Sequence, residues 1–171
     1  MTSFKEFRLM KQLLIIPALF ASVACQSPDT VVLVSPRPVG FEIGASEFPF
    51  DDRITIDRVT SWGGLFAAGA DLTVSGSYDL RSRPEATLYL GTTSTSQSTT
   101  KQAKGGNAST VLRGQGTFEL QHTIPGLGYP HVTFYDTETG KPFAGSYFGR
   151  GEYLLREADL DYGRTALGLT E

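Results

Sequence analysis

Cysteine and histidine are nearly absent from this chain of 171 residues, which limits the chemistry that the chain can perform. Cys25 is the only cysteine. A single thiol cannot build a disulfide framework, and it excludes a cysteine-rich zinc site. With only two histidines, a zinc or copper site would need carboxylates from elsewhere in the fold. We therefore expect no cofactor.

The common signatures of enzymes are also missing from the sequence. It contains no G-x-S-x-G, no G-x-x-x-x-G-K-[ST] and no H-E-x-x-H. We therefore expect a protein that is not an enzyme. A Ser-His-Asp triad can still assemble from scattered residues, so a cryptic secreted hydrolase stays open as a third alternative.

The chain has no long hydrophobic run, but its start has the layout of an export signal. Lys5, Arg8 and Lys11 precede twelve uncharged residues, Leu13 to Ala24. That run is too short to span a membrane comfortably as a helix, and Pro17 interrupts it. A positive region followed by a short apolar region is typical of a signal peptide.

The end of this segment, Ala21-Ser22-Val23-Ala24-Cys25, resembles the lipobox of bacterial lipoproteins, although Ser22 stands where that family most often has Leu. The resemblance implies a signal helix (1–24) that is cleaved before Cys25. It also implies a diacylglycerol on the Cys25 thiol, further acylation of the new amine with a fatty acid such as palmitate, and a tether over residues 25–30. Gln26 favours the outer over the inner membrane under the enterobacterial sorting pattern. An ordinary signal peptide that leaves Cys25 as a free thiol stays open.

The mature chain would have the size and charge of one acidic domain. Of 171 residues, 24 are removed and 147 remain, with 12 basic and 17 acidic side chains. This length suits a single domain, which we place at residues 31–171. A dispersed negative charge argues against nucleic acid as a partner.

Period-two patterns and glycine and proline punctuation predict about seven short β strands. In residues 71–80 the side chains of Leu72, Val74 and Leu80 share one face, and polar side chains share the other. The other predicted features are a segment before Pro36, a strand from Ile54 to Trp62, a turn at residues 81–84, a strand over 86–92, a flexible polar loop at about 92–109, and strands over Phe143–Phe148 and Gly151–Arg156.

The stretch Ile124-Pro125-Gly126-Leu127-Gly128-Tyr129 resembles the corner between the E and F strands of fibronectin type III and other immunoglobulin-like domains. The resemblance implies that the Tyr129 hydroxyl binds upstream backbone. Asp136 to Pro142 then predicts a hairpin turn, with Gly140 at positive φ. We therefore predict an all-β fold, a single immunoglobulin-like antiparallel β-sandwich of about seven strands.

Two sets of residues are candidates for binding. Strand parity places His122 inside, and it places His131, Tyr135 and Tyr147 together on an outer face, where exposed aromatic rings could bind a partner. Glu157, Asp159 and Asp161 are spaced two apart before a glycine, which makes them a weak calcium candidate because the loop lacks further acidic ligands.

These observations favour a membrane-anchored, non-enzymatic binding or assembly module of the bacterial cell envelope. Its partners would be the membrane, through the N-terminal lipid, and an envelope protein or a glycan. The alternative is a carbohydrate or small-ligand binder, assisted by calcium if the acidic segment is a site.

Overall fold

The computed structural model describes residues 35–94 and 108–159, and most of them lie in β strands. The strands are β1 (Pro36–Pro38), β2 (Glu42–Glu47), β3 (Arg53–Trp62), β4 (Asp71–Ser94), β5 (Ala108–Thr123), β6 (Gly128–Tyr135) and β7 (Pro142–Gly149). Three short 3₁₀ turns lie at Pro49–Asp51, Gly151–Tyr153 and Glu157–Asp159.

All paired strands are antiparallel, and they form one curled sheet around β4. The first half of β4 pairs with β3 on one edge and with β5 on the other. The second half exchanges β3 for β6, while β5 continues beside it. The strand β1 extends the sheet beyond β3, and β7 and then β2 extend it beyond β6. β4 and β5 therefore join two groups of strands.

The change of partners takes place at an irregularity in β4 between Leu80 and Glu85. The carboxylate of Asp52 is fully buried and accepts hydrogen bonds from the backbone N–H groups of Arg81 and Ser82, at 2.7 and 2.9 Å, and from the Ser82 hydroxyl at 2.6 Å. Arg83 forms an ion pair with Asp136, and its guanidinium lies 4.2 Å from the centre of the Phe143 ring. The bend is therefore fixed from both groups of strands.

The two groups of strands share a single hydrophobic core. Inward residues of β3 and of the first half of β4, such as Ile56 and Val74, belong to the same buried cluster as Leu88 and Phe134 from the other group. The Tyr78 ring meets the Phe134 ring edge-on at 6.2 Å. This sandwich-like arrangement removes one face of each group from water, and that burial is the main favourable term in folding.

The predicted all-β fold of about seven antiparallel strands is confirmed, and several boundaries differ. Residues 71–80 and 86–92, predicted as two strands around a turn, belong to the single strand β4. The prolines 36 and 38, expected to end a segment, themselves lie in the short edge strand β1. Residues 151–153 form a 3₁₀ turn where a last strand was predicted, because Gly151 has φ +58°.

The predicted hairpin turn after β6 is confirmed. The N–H of Asp136 donates to the carbonyl of Lys141, and the N–H of Gly140 donates to the carbonyl of Asp136, each at 2.9 Å. Gly140 has φ +66°, a conformation that costs glycine little. The Asp136 carboxylate accepts from the N–H of Thr139, which lowers the pKa of Asp136.

Several sequence predictions fall on residues outside the described ranges. The signal peptide (1–24) and the tether (25–30) are among them, and they stay predictions. Most of the predicted polar loop, residues 95–107, also lies outside; its two ends, at Thr92–Ser94 and Ala108–Ser109, lie in β4 and β5. In the described part of the chain, no helix is long and apolar enough to cross a membrane.

Replacing Asp52 tests the importance of the β4 bend. We expect Asp52→Ala to lower the free energy of unfolding by about 2–4 kcal/mol, because it leaves two partly buried N–H groups and a hydroxyl without their acceptor. Asp52→Asn keeps one carbonyl oxygen for the two N–H groups, so it should lose less than half as much. Urea unfolding measures both variants. An Asp52→Ala midpoint equal to that of the wild type would contradict this account of the bend.

Candidate functional site

A polar groove lies on the outer face of the sheet, where β3 begins. Arg53 pairs with Asp79, and Asp79 pairs with Gln115, so that three polar residues from three strands stand side by side. The groove has a volume of about 520 Å³. Its polar side chains are Arg53, Thr55, Ser77, Asp79, Arg81 and Gln115.

The Asp79 carboxylate is the electrostatic centre of the groove. Its Oδ2 atom accepts hydrogen bonds from Nε and Nη2 of Arg81, at 3.0 and 2.7 Å, and from Nε2 of Gln115 at 3.2 Å. The hydrogen bonds from Arg81 and Gln115 lower the pKa of Asp79, and the same pairing raises the pKa of Arg81. The pair is therefore fully charged at neutral pH, and the groove presents both signs of charge.

Tyr78 and Gly116 complete the lining of the groove. A Cβ atom on Gly116 would come within 2.5 Å of the Tyr78 hydroxyl oxygen, so the ring lies where only glycine leaves room for it. The Tyr78 ring itself packs on Phe134 in the core, so the groups that the groove offers to a ligand are two guanidiniums, a carboxylate, an amide and two hydroxyl groups. This arrangement suits binding of a hydroxylated or zwitterionic ligand.

The predicted aromatic patch is assembled, but its exposure was predicted wrongly. His131 and Tyr147 are cross-strand partners with ring centroids 5.4 Å apart, and the Tyr89 ring lies 5.6 Å from the Tyr135 ring and 6.3 Å from the His131 ring. Yet His131 and Tyr147 are only 4% and 3% exposed, and Tyr135 is half-buried. The patch therefore does not offer three exposed side chains to a partner.

The outer face of β6 and β7 is covered because the chain returns to it after β7. The Ala45 N–H donates to the Leu155 carbonyl at 2.9 Å, and Ala45, Leu155 and Tyr147 form a second buried cluster on which Tyr129 packs. Strand parity correctly places His131 and Tyr147 on one face, but it cannot show whether another segment covers that face.

His131 sits in this covered region as a neutral group. Burial, with a smaller contribution from His122, lowers the pKa of His131 to about 3. Its Nδ1 atom is hydrogen-bonded to the Thr133 hydroxyl at 2.7 Å, and Thr133 is itself fully buried. His131 is therefore uncharged near neutral pH, and its ring packs between those of Tyr89 and Tyr147.

The inward position predicted for His122 is confirmed. His122 is 4% exposed, and its Nε2 atom is hydrogen-bonded to the Thr92 hydroxyl at 2.9 Å.

The structure describes only part of the predicted calcium site. Glu157 and Asp159 are exposed on a 3₁₀ turn, and Asp161 lies outside the described residues. Within residues 35–94 and 108–159, no group of three or more possible metal ligands comes together.

Sequence reasoning identified the polar face of β4 but missed the groove on it. Ser77 and Asp79 belong to the polar face that the alternation in residues 71–80 predicts, which is where the groove lies. Arg53 and Gln115 could not be added to them, because the pairing registers of β3 and β5 are not visible in the sequence. The sequence offers only one signal for the groove, a charged residue at the start of a strand. That signal is not specific, because charged residues are common on strands that face solvent.

Comparisons with known proteins assign no family to this chain. A scan against family models, a search of curated proteins and a search of solved structures each returned no match. The fold class therefore rests on the strands themselves, and the immunoglobulin-like resemblance stays a prediction.

Burial of His131 predicts that stability depends on pH. Unfolded histidine binds a proton near pH 6.5 and folded His131 only near pH 3, so stability should fall as the pH drops below 6.5, by up to about 1.4 kcal/mol per pH unit. Urea unfolding between pH 7 and pH 5 measures the slope. His131→Gln should flatten it, whereas Thr133→Val, which keeps the buried imidazole, should retain it. Equal slopes in wild type and His131→Gln would refute this assignment.

Proposed function

We propose that this chain is a lipid-anchored, non-enzymatic binding or assembly module of the bacterial cell envelope, attached to the outer membrane through Cys25. The observation that carries the proposal is the segment Ala21 to Cys25, where small residues precede the chain's only cysteine at the end of a short apolar run. Two or three acyl chains on one residue make a stable anchor, which one acyl chain does not.

The described part of the chain supports a module that acts by binding. The groove at Asp79 brings together two guanidiniums, a carboxylate and an amide. Polar and charged groups of this kind suit recognition of a hydrophilic partner, either an envelope protein or a glycan. The groove, and not the aromatic patch, is the surface that we assign to that partner.

The anchor is tested by replacing Cys25. We expect the Cys25→Ser chain, expressed in a bacterium with its whole leader, to enter the aqueous phase on detergent phase separation, while the wild type enters the detergent phase. Mass spectrometry of the N-terminal peptide should find diacylglycerol only on the wild type. Ser22→Leu, which brings the segment closer to the family pattern, is the matched control and should stay lipidated. A Cys25→Ser chain that follows the wild type into detergent would overturn the anchor.

The groove also favours a second candidate function, the binding of a small polar ligand or carbohydrate. Oligosaccharides that bind the folded state would raise the melting temperature, since a ligand at 100 times its Kd contributes about 2.7 kcal/mol. We expect neutral and acidic oligosaccharides to stabilise the wild type and not Asp79→Asn. Thr73→Ala, which lies further along the same face of β4, is the control and should respond like the wild type. Calcium chloride is added separately, to test the acidic segment.

No melting shift with any sugar or with calcium would argue against the second candidate and leave the protein-partner function. In that case, crosslinking in cells is the deciding measurement. A protein captured by the wild type and lost from Asp79→Asn would locate its contact at the groove. A capture pattern that is the same in both would remove the groove from the proposal.

A further inference from the structure

Three large apolar side chains are exposed at one end of the domain. Trp62 at the end of β3 is 54% exposed, Leu65 in the following turn is 63% exposed, and Leu127 in the turn before β6 is 48% exposed. Backbone hydrogen bonds join the two loops that carry Leu65 and Leu127: Gly69 donates to Ile124 at 2.8 Å, and Ile124 donates to Ala70 at 3.0 Å. We call Trp62, Leu65 and Leu127 the apolar end.

The turn that presents Trp62 and Leu65 is well defined. Gly63 and Gly64 have φ values of +77° and +71°, which other residues adopt only with strain. The Ser61 hydroxyl donates to the Leu65 carbonyl at 2.6 Å, and the Gly64 N–H donates to the Ser61 carbonyl at 3.2 Å. The backbone positions of the two apolar residues are therefore well defined.

The chain enters the domain at this same end. In the register of β1 with β3, Pro36 stands opposite Trp62, and Ser35 is the first described residue. Cys25 precedes Ser35 by ten residues, which span at most about 36 Å when fully extended. A lipid on Cys25 would keep the apolar end close to the bilayer.

Two arginines and a glutamate lie beside these apolar side chains. Leu65 and Arg150 line one cleft of about 480 Å³, which also holds Glu152, and the Arg37 side chain lies against Gly64. Tryptophan, leucine and arginine together suit the boundary between headgroups and acyl chains, where rings lie at headgroup level and cations meet phosphates. Phe50, the other strongly exposed ring, is followed by the exposed carboxylate of Asp51, which anionic headgroups would repel.

We propose that the apolar end inserts into the headgroup region of the bilayer beside the lipid anchor and fixes the orientation of the domain. This inference rests on the proposed lipid anchor. Arg53, which lines the groove at Asp79, and Trp62, which belongs to the apolar end, are the first and last residues of β3. Insertion of the apolar end would therefore also determine where the groove lies. A ten-residue strand is roughly 30 Å long, so the groove would lie at the end of the domain that is farther from the membrane.

Trp62 is the only tryptophan of the chain, so its fluorescence reports on this end alone. Lipidated full-length protein is reconstituted into vesicles of phosphatidylethanolamine and phosphatidylglycerol, with and without brominated acyl chains. We expect a blue-shifted emission that brominated lipid quenches. The Leu65→Ser/Leu127→Ser double variant should lose most of both effects, whereas Phe50→Ser, at an exposed ring with acidic neighbours, should behave like the wild type.

A second measurement separates the membrane contact from the anchor. The unlipidated Cys25→Ser chain is added to the same vesicles, and we expect weak binding that the double variant reduces about tenfold or more, because it removes two leucine side chains that the bilayer would take out of water. If mass spectrometry finds no lipid on wild-type Cys25, the anchor fails, and the Cys25→Ser titration alone decides the contact.

Two results would overturn the membrane contact while the anchor stands. One is lipidated protein whose Trp62 emission in vesicles equals that of the Cys25→Ser chain in buffer, without quenching by brominated lipid. The other is a blue shift that grows with protein concentration in the absence of vesicles, which would assign the apolar end to a second copy of the chain.

Discussion

The buried Asp52 carboxylate at the β4 bend is the constraint on which the rest of the structure depends. A strand of 24 residues would run straight through a small domain, and its inward face would have only one sheet to pack against. Because Asp52 binds the backbone of Arg81 and Ser82, β4 can bend and exchange β3 for β6. The two halves of the sheet then face each other over one core, and no disulfide is needed to hold them.

The same constraint gives the domain two different ends. Near Asp52, the chain enters β3 at Arg53, and β4 leaves its first half at Asp79 and Arg81, so charged groups gather at this end. The other end carries the loops with Leu65 and Leu127, together with the entry of the chain. Strand direction therefore separates a charged surface from an apolar one by the length of β3. For a domain proposed to be tethered at its N-terminus, that separation distinguishes a side for the membrane from a side for a partner.

Most aromatic residues of the C-terminal third are buried and pack within the fold. Tyr147 and Leu155 close the outer face of β6 and β7, and His131 lies between the rings of Tyr89 and Tyr147. Because the last strands are covered on both faces, the binding surface that we propose lies on the polar face of β3, β4 and β5. The burial of a neutral histidine in this region also links folding to pH.

The sequence by itself determined the local features of this protein. Three predictions depended only on neighbours within a few residues: the alternation of apolar and polar residues in 71–80, the inward position of His122 and the turn at Gly140. They could therefore be made from the sequence alone. Only the tertiary structure decided the rest: that β4 continues through residues 81–84, that His131 and Tyr147 are covered, and that Arg53, Asp79 and Gln115 stand side by side. Those features depend on strand register and on the return path of the chain, which long-range packing decides and local periodicity does not encode.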